Sequence, residues 1–225
     1  MAAHGHLTVA AILVAAGDGA RLGGSVPKAF CEIGGQTLLE RALRPFAAHA
    51  GVRDLVVVAR ADQLDRAAGL APLARVVAGG ATRQASVACG IAALSEDVDT
   101  VLVHDVARPF VPAEVIDRVL AALMSGADAV VPTTQVLDTV KRVAPSGAVL
   151  ETVDRSTLRA AQTPQGFRRG VLEAAHRHSA AAVSTDDAAL VEACGGRVVV
   201  VDGADESFKI TRPWDLLLAE AVAGR

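Results

Sequence analysis

The sequence predicts an α/β fold built on a doubly wound, mostly parallel sheet with a protruding β-hairpin arm, and three observations carry that expectation. Short Val/Leu/Ile runs recur along the chain with helix-like segments between them. Both faces of these runs are apolar, which suits strands covered by helices on each side, whereas a sheet facing water would alternate apolar and polar residues. Between about residues 134 and 162 the pattern changes to two extended stretches around a turn.

The strand-like runs are Val9 to Ala15, Leu55 to Ala59, Arg75 to Ala78, Val101 to His104, Ala129 to Val131 and Val198 to Val201. Thr37 stands before Leu38, Leu39, Ala42, Leu43 and Phe46 and has Glu40 three residues on, the spacing of a capping box that opens an amphipathic helix. Pro112 opens another, carrying Val115, Ile116, Val119, Leu120 and Leu123. Thr139 to Ala144 and Val149 to Val153 flank Pro145, Ser146 and Gly147, which is hairpin chemistry and reads as an excursion from the sheet. Helices are expected again from Arg168 to His178, from Asp186 to Ala193 and from Pro213. With no internal repeat, low-complexity segment or long linker, residues 1–225 are expected to form a single domain carrying an arm at about 134–162.

Composition narrows the partners. The 225 residues are 52% hydrophobic, enough for a sizeable core, and 22 basic against 25 acidic side chains leave a formal charge of −3. Without a basic run the electrostatic footprint of nucleic-acid binding is missing, and with aromatics at 3% there is no platform for stacking bases. Cys31, Cys89 and Cys194 are scattered and odd in number, which supports neither a disulfide framework nor a zinc site. The first apolar stretch, Leu7 to Ala16, is too short to span a bilayer and follows no Lys or Arg, so the expectation is a cytoplasmic protein without a membrane partner. The chain ends at Arg225 soon after its last helix, so no fused second enzyme is expected.

Two segments could carry chemistry. After the first strand comes Ala15-Ala16-Gly17-Asp18-Gly19-Ala20-Arg21-Leu22-Gly23-Gly24-Ser25-Val26-Pro27-Lys28. Ligands of open α/β sheets sit beyond the carboxyl ends of strands, where glycines let backbone N–H groups approach phosphate oxygens while Arg21 and Lys28 supply mobile positive charge. A polyphosphate is the natural guest; the bland alternative is a flexible turn with two solvated cations. A P-loop does not fit, because Lys28 lies between Pro27 and Ala29. A dinucleotide fingerprint is a closer rival, but the second strand ends at Arg60 without the ribose-binding acid. The second segment is His104-Asp105-Val106-Ala107-Arg108-Pro109 after the strand from Val101. Asp105, just past a buried run, needs a partner for its charge, and Mg²⁺ carrying nucleotide phosphates is a suitable one; pairing with Arg108 or capping a turn is the alternative.

The stretches AAGDGARLGGSVPKAF, HDVARPF, TVDRSTLRAAQTPQGF, STDD and FKITRPWDLLLAE occur in the order seen in 2-C-methyl-D-erythritol 4-phosphate cytidylyltransferases, and the chain resembles that family from Val9 to Glu220. The resemblance implies a Rossmann-like fold of the nucleotidyltransferase type and transfer of a cytidylyl group from CTP to a polyol phosphate, with release of pyrophosphate. It further implies that Arg21 and Lys28 are catalytic and that Ala15, Ala16, Gly17, Asp18, Gly19, Gly79, Gly80, Arg83, Ser86, His104 and Asp105 bind CTP. Ala81 stands where some relatives have an acid. The acceptor would meet Arg108, Thr139, Arg155, Thr185 and Lys209. Mg²⁺ or another divalent cation would be held by Asp105 and by Glu206, with neighbouring Asp205 left open as the alternative. The arm would reach a second subunit, making a homodimer whose active site is shared.

Three other readings stay open on the residues alone. A ribitol 5-phosphate cytidylyltransferase shares most of these motifs, a silent nucleotide-binding sensor would keep the fold without turnover, and a dinucleotide-dependent oxidoreductase would bind NADP rather than CTP.

Overall fold

In the computed structural model, residues 7–17, 26–178 and 184–224 are described. The chain opens with β1 (Val9–Val14), a short 3₁₀ turn (Lys28–Phe30), β2 (Glu32–Ile33), β3 (Gln36–Thr37), α1 (Leu38–Ala48), β4 (Val52–Ala59), α2 (Leu64–Leu70), β5 (Arg75–Ala78) and α3 (Arg83–Ala92). It continues through β6 (Thr100–Asp105), α4 (Ala113–Met124), β7 (Ala129–Gln135), β8 (Val140–Val143), β9 (Val149–Val153), β10 (Arg159–Ala161) and β11 (Gln165–Arg168). It closes with α5 (Arg169–His178), α6 (Asp187–Ala193), β12 (Val198–Asp202) and α7 (Pro213–Ala223).

β5, β4, β1 and β6 pair in parallel in that order, and the expected βαβ half is therefore present. Alternation along β1 shows why its run is apolar throughout. Val9, Ala11 and Leu13 join a core with α1, α4 and α7, while Ala10 and Ile12 join a second core with α3, α5 and α6. Each face is thus covered by helices, the doubly wound arrangement. The Thr37 capping box forms as its spacing predicts. Thr37 Oγ1 accepts from the Glu40 N–H at 3.2 Å, and Glu40 Oε2 accepts from the Thr37 N–H at 2.8 Å.

The far half departs from the sequence expectation in one element. β11 runs antiparallel between β6 and β7 and interrupts the parallel order. Ala129 of β7 pairs with both Phe167 of β11 and Val198 of β12, and Thr133 pairs with both Ala161 of β10 and Asp202 of β12. β10 and β11 therefore follow one another along one side of β7, and β12 lies along the other. Gly166 lets this inserted strand lie under α4, since a Cβ there would overlap the Val119 side chain. The hairpin of β8 and β9 forms a two-stranded sheet of its own, with Leu137, Val143, Val149 and Leu150 exposed.

Candidate active site

Four strand ends build one cavity of about 950 Å³. Val14 to Gly17 follow β1, Arg60 to Asp62 follow β4, Gly79 to Arg83 follow β5, and Asp105 to Ala107 follow β6; Lys28, Ala29, Ser86, Lys209 and Thr211 complete the lining. Parallel register makes this convergence unavoidable, because Val14 lies beside both Val58 and Asp105 and Ala59 lies beside Ala78. Part of the floor is bare backbone. A Cβ on Gly79 would come within 2.8 Å of Ala16 Cβ and of Ser86 Oγ, so only glycine fits. The N-terminus of α3 opens at this floor, capped by Thr82, whose Oγ1 accepts from the Ala85 N–H at 3.0 Å. Its first turn directs partial positive charge toward the cavity, the polarity that suits an anion.

Charge is concentrated around Asp105, which is only 8% exposed. Its Oδ1 accepts from Arg83 Nε at 3.0 Å and its Oδ2 from Lys209 Nζ at 2.6 Å, so its partners are not Arg108 or a turn. Burial pushes the Asp105 pKa up, but Arg83 and Lys209 outweigh it and hold the carboxyl well below the usual range. The carboxylate is therefore ionised at working pH. Arg83 is gripped a second time, its Nη1 donating to Asp187 Oδ2 at 2.6 Å, while Asp187 Oδ1 meets His176 Nε2 at 2.9 Å. Burial lowers the Arg83 pKa, yet the two carboxylates more than offset this and raise it.

His104 lies behind this floor, with no exposed surface. Nε2 faces the Arg108 carbonyl at 3.0 Å, which can only accept, so Nε2 carries the proton. Nδ1 then accepts from the Thr163 hydroxyl at 3.0 Å, and that oxygen accepts from the Asp105 N–H at 3.1 Å. Complete burial pushes the His104 pKa down to about 4, and the neutral ring satisfies every member of this chain. Arg108 donates to the carbonyls of Ser207 at 2.7 Å and Ala161 at 3.1 Å, tying β10 to the loop that carries Lys209.

The sequence comparisons agree with this architecture. The family model for 2-C-methyl-D-erythritol 4-phosphate cytidylyltransferase (IspD) matches residues 9–225. The chain belongs to that family. A relative of that name from Frankia casuarinae is 49% identical over 96% of this chain and 82% of its own length. One from Streptomyces avermitilis is 46% identical over 96% and 92% respectively. Among solved structures, the Anaerococcus prevotii 4-diphosphocytidyl-2C-methyl-D-erythritol synthase superposes with a TM-score of 0.87 at 30% identity, covering 98% of this chain and all of the other. The Thermus thermophilus 2-C-methyl-D-erythritol 4-phosphate cytidylyltransferase gives 0.81 at 40% identity, covering 95% and 98%. As a member, the chain is a CTP-dependent nucleotidyltransferase.

Of the residues that the family resemblance singles out, Ala15, Ala16, Gly17, Lys28, Gly79, Gly80, Arg83, Ser86, Asp105 and Lys209 line the cavity. Asp18, Gly19 and Arg21 lie outside the described residues. His104 does not line the cavity: both ring nitrogens bond within the protein and none of its surface is open. Arg108 is likewise a tie between loops rather than a cavity wall. Thr139, Arg155 and Thr185 are exposed and outside the lining; the Arg155 guanidinium donates to the Leu137 carbonyl at the base of the hairpin. Glu206 is exposed in a 3₁₀ turn (Asp205–Ser207) and does not line the cavity, nor does Asp205.

Sequence reasoning passed over Asp62 and Thr211 in the lining and the Asp187–His176 pair behind it. Arg60, noted only as the end of the second strand, also enters the cavity and pairs with Asp62 at 3.0 Å. Arg60 and Asp62 could have been found from the rule that strand ends carry ligands, whereas Asp187, although within the STDD stretch, has no partner that spacing alone reveals. Among the described residues no three His, Cys, Asp or Glu side chains converge as a metal group. Asp105, one of two carboxylates in the lining with Asp62, fits a hard cation that arrives on a triphosphate, since magnesium takes one or two carboxylates along with phosphates and waters.

Proposed function

We propose that Lys28, together with Arg21, steadies the charge that builds on the α-phosphate and the leaving pyrophosphate while the cavity holds CTP. The reaction is the family's: the phosphate of 2-C-methyl-D-erythritol 4-phosphate attacks the α-phosphorus of CTP, giving 4-diphosphocytidyl-2-C-methyl-D-erythritol and pyrophosphate in non-mevalonate isoprenoid synthesis. Between the acceptors that the motifs leave open, the family match favours methylerythritol phosphate over ribitol 5-phosphate. The observation that supports the residue assignment is a cavity at four strand ends that Lys28, Arg83 and Lys209 all line, with Arg83 and Lys209 paired to the ionised Asp105.

No covalent nucleophile is required, because the acceptor phosphate is already an anion. Fixed cations aimed at developing charge supply the main catalytic effect in such transfers. The floor from Gly79 to Ser86 takes cytosine and ribose, with the glycine-rich stretch that follows β1 at the phosphates. Asp105 would hold a divalent cation, Mg²⁺ by chemistry, which would supply charge neutralisation to the triphosphate. Glu206, exposed and apart from the lining, is the weaker of the two assigned ligands. Thr139, Arg155, Thr185 and Lys209 hold the acceptor, with Thr139 and Arg155 supplied by the hairpin arm of a second copy in a homodimer. The exposed position of the arm residues, away from the cavity of their own chain, supports that division.

We place this single cytidylyltransferase domain in the cytoplasm; no helix among the described residues is long and apolar enough to cross a membrane. The test is pyrophosphate release with Mg²⁺, each of CTP, ATP, GTP and UTP, and each of methylerythritol phosphate and ribitol 5-phosphate. Release with CTP and methylerythritol phosphate alone is expected. Release with ribitol 5-phosphate alone would reassign the acceptor, and silence with every pair from folded protein would favour a sensor.

A further inference from the structure

Behind the cavity, Arg83 is the middle of a buried chain of charges. Asp187 is 1% exposed and yet carries a carboxylate, bonded on one oxygen to Arg83 Nη1 at 2.6 Å and on the other to His176 Nε2 at 2.9 Å. Local structure does not explain it. The N-cap of α6 is Asp186, whose Oδ1 accepts from the Ala189 N–H at 3.0 Å, so Asp187 is not needed to finish that helix. Thr82 caps α3, so Arg83 is not needed there either. Stability is a weak explanation too, because a buried ion pair is often matched or bettered by apolar packing of the same volume. What the chain does accomplish is geometric. α5 contributes His176, α6 contributes Asp187, and together they fix a guanidinium whose Nε holds Asp105 Oδ1 at the cavity floor.

We propose that Asp187, braced by His176, is a positioning residue for cytidylyl transfer, acting through Arg83 on the orientation of Asp105. The proposal rests on the reading of the cavity as the CTP site. The two grips on Arg83 come from the end of β6 and the start of α6, so the guanidinium cannot turn about either bond alone. Without Asp187 one grip remains, and Arg83 can pivot about Asp105 Oδ1. Asp105 Oδ1 then follows a moving partner, leaving Lys209 on Oδ2 as the remaining grip that steadies the carboxylate, while the cavity walls stay in place. Misplacement of a reacting group by about 1 Å costs on the order of a hundredfold in rate without abolishing binding. The signature is therefore a fall in kcat with little change in KM.

The experiment compares wild type, Asp187→Asn, Arg83→Gln, the double variant, His176→Ala and His176→Gln in pyrophosphate release. Alongside, the exchange of the Arg83 side-chain Nε–H is followed by NMR, and thermal melts check folding. Asp187→Asn is expected to lower kcat at least about tenfold with KM for CTP within about threefold, and to speed the Nε–H exchange. The double variant should be no slower than Arg83→Gln alone, because both lesions break one chain. His176→Ala should show a smaller loss of the same kind, and His176→Gln, whose amide nitrogen replaces Nε2–H, should recover it. Losses that multiply in the double variant, a change in KM alone, or unchanged kcat and exchange in Asp187→Asn would each overturn the proposal. If Asp187→Asn does not fold, the His176 pair and the exchange rate decide it. A wild type silent in turnover refutes the CTP reading, while the exchange measurement still shows whether Asp187 fixes Arg83.

Discussion

The cavity floor and the hairpin arm contain the same interaction in opposite surroundings. Arg83 meets Asp187 at 2.6 Å and Arg142 of β8 meets Glu151 of β9 at 2.6 Å. In the first pair the side chains are 26% and 1% exposed, and in the second 64% and 52%. The distance is the same, but water screens the second and not the first. On the floor, Asp105 and Arg83 are each held by partners from two other parts of the chain, and these partners shift both pKa values toward the charged form. On the arm, the charges answer mainly to solvent, and the apolar side chains Val143, Val149 and Leu150 are left uncovered. Most of the described residues assigned to the nucleotide thus line the cavity of one chain, while Thr139, Arg155 and Thr185, assigned to the acceptor, stand outside it.

The largest expected effect lies on the floor. Lys28→Ala should lower kcat at least about a hundredfold, the scale of removing one preorganised charge from a transition state, with the melting curve unchanged. A loss no greater than that of the exposed arm variant below would break the contrast between the two regions.

His104 gives the next effect, and its sign follows from burial. Its folded pKa, pushed down to about 4 by burial, lies below the ordinary value of about 6.5, so the unfolded chain binds the proton more readily. The stabilisation is fully present above about 6.5 and is lost as pH falls toward 4. By pH 5 the loss amounts to about 2 kcal/mol relative to neutral pH. Urea unfolding of wild type and His104→Gln across pH 7 to 5 isolates the share of this one ring. Parallel slopes would mean that His104 is not held neutral.

The division between the regions predicts a subunit-mixing result. If Lys28 of one copy works with Arg155 of the other, equal mixing of Lys28→Ala and Arg155→Ala chains makes half the dimers hybrid, and each hybrid has one unharmed site. Activity should then rise to about a quarter of wild type from two nearly inactive parents, as closed twofold symmetry requires. No rise after subunit exchange would put Arg155 and Lys28 in the same chain's site, or Arg155 in none.

How much of this was legible in the sequence also divides by region. The strands from Val9, Leu55 and Val101 are read well because burial on both faces leaves unbroken apolar runs, while the edge strand from Arg75 is read from its short Val pair alone. The Thr37 capping box and the Pro112 helix start are local, and they appear as spaced. β11 escaped because Gln165, Gly166 and Phe167 carry neither alternation nor an apolar run; their burial comes from α4 and two neighbouring strands. The glycine-rich loop and the strand-end aspartate pointed to Lys28 and Asp105, since strand ends collect ligands whatever the chain between them. Asp187 lies in the quoted STDD stretch, but its role was not legible because its partner Arg83 is 104 residues away, and His176 acquires its meaning only through Asp187.

The smallest effect tests what exposure alone does. Glu151→Gln removes the carboxylate from the Arg142 pair, and an exposed pair of this kind contributes about 0–1 kcal/mol. Side-chain entropy and salt screening nearly cancel the attraction, so the melting temperature should move by only a few degrees, about 4 °C at most, and less at 1 M salt. Turnover should stay within about twofold, because neither residue lines the cavity. A drop in activity as large as that of Lys28→Ala, with an unchanged melt, would show that this part of the arm meets substrate or a partner directly. The contrast would then no longer be between a buried site and a solvated arm, but between two halves of one site separated by a subunit boundary.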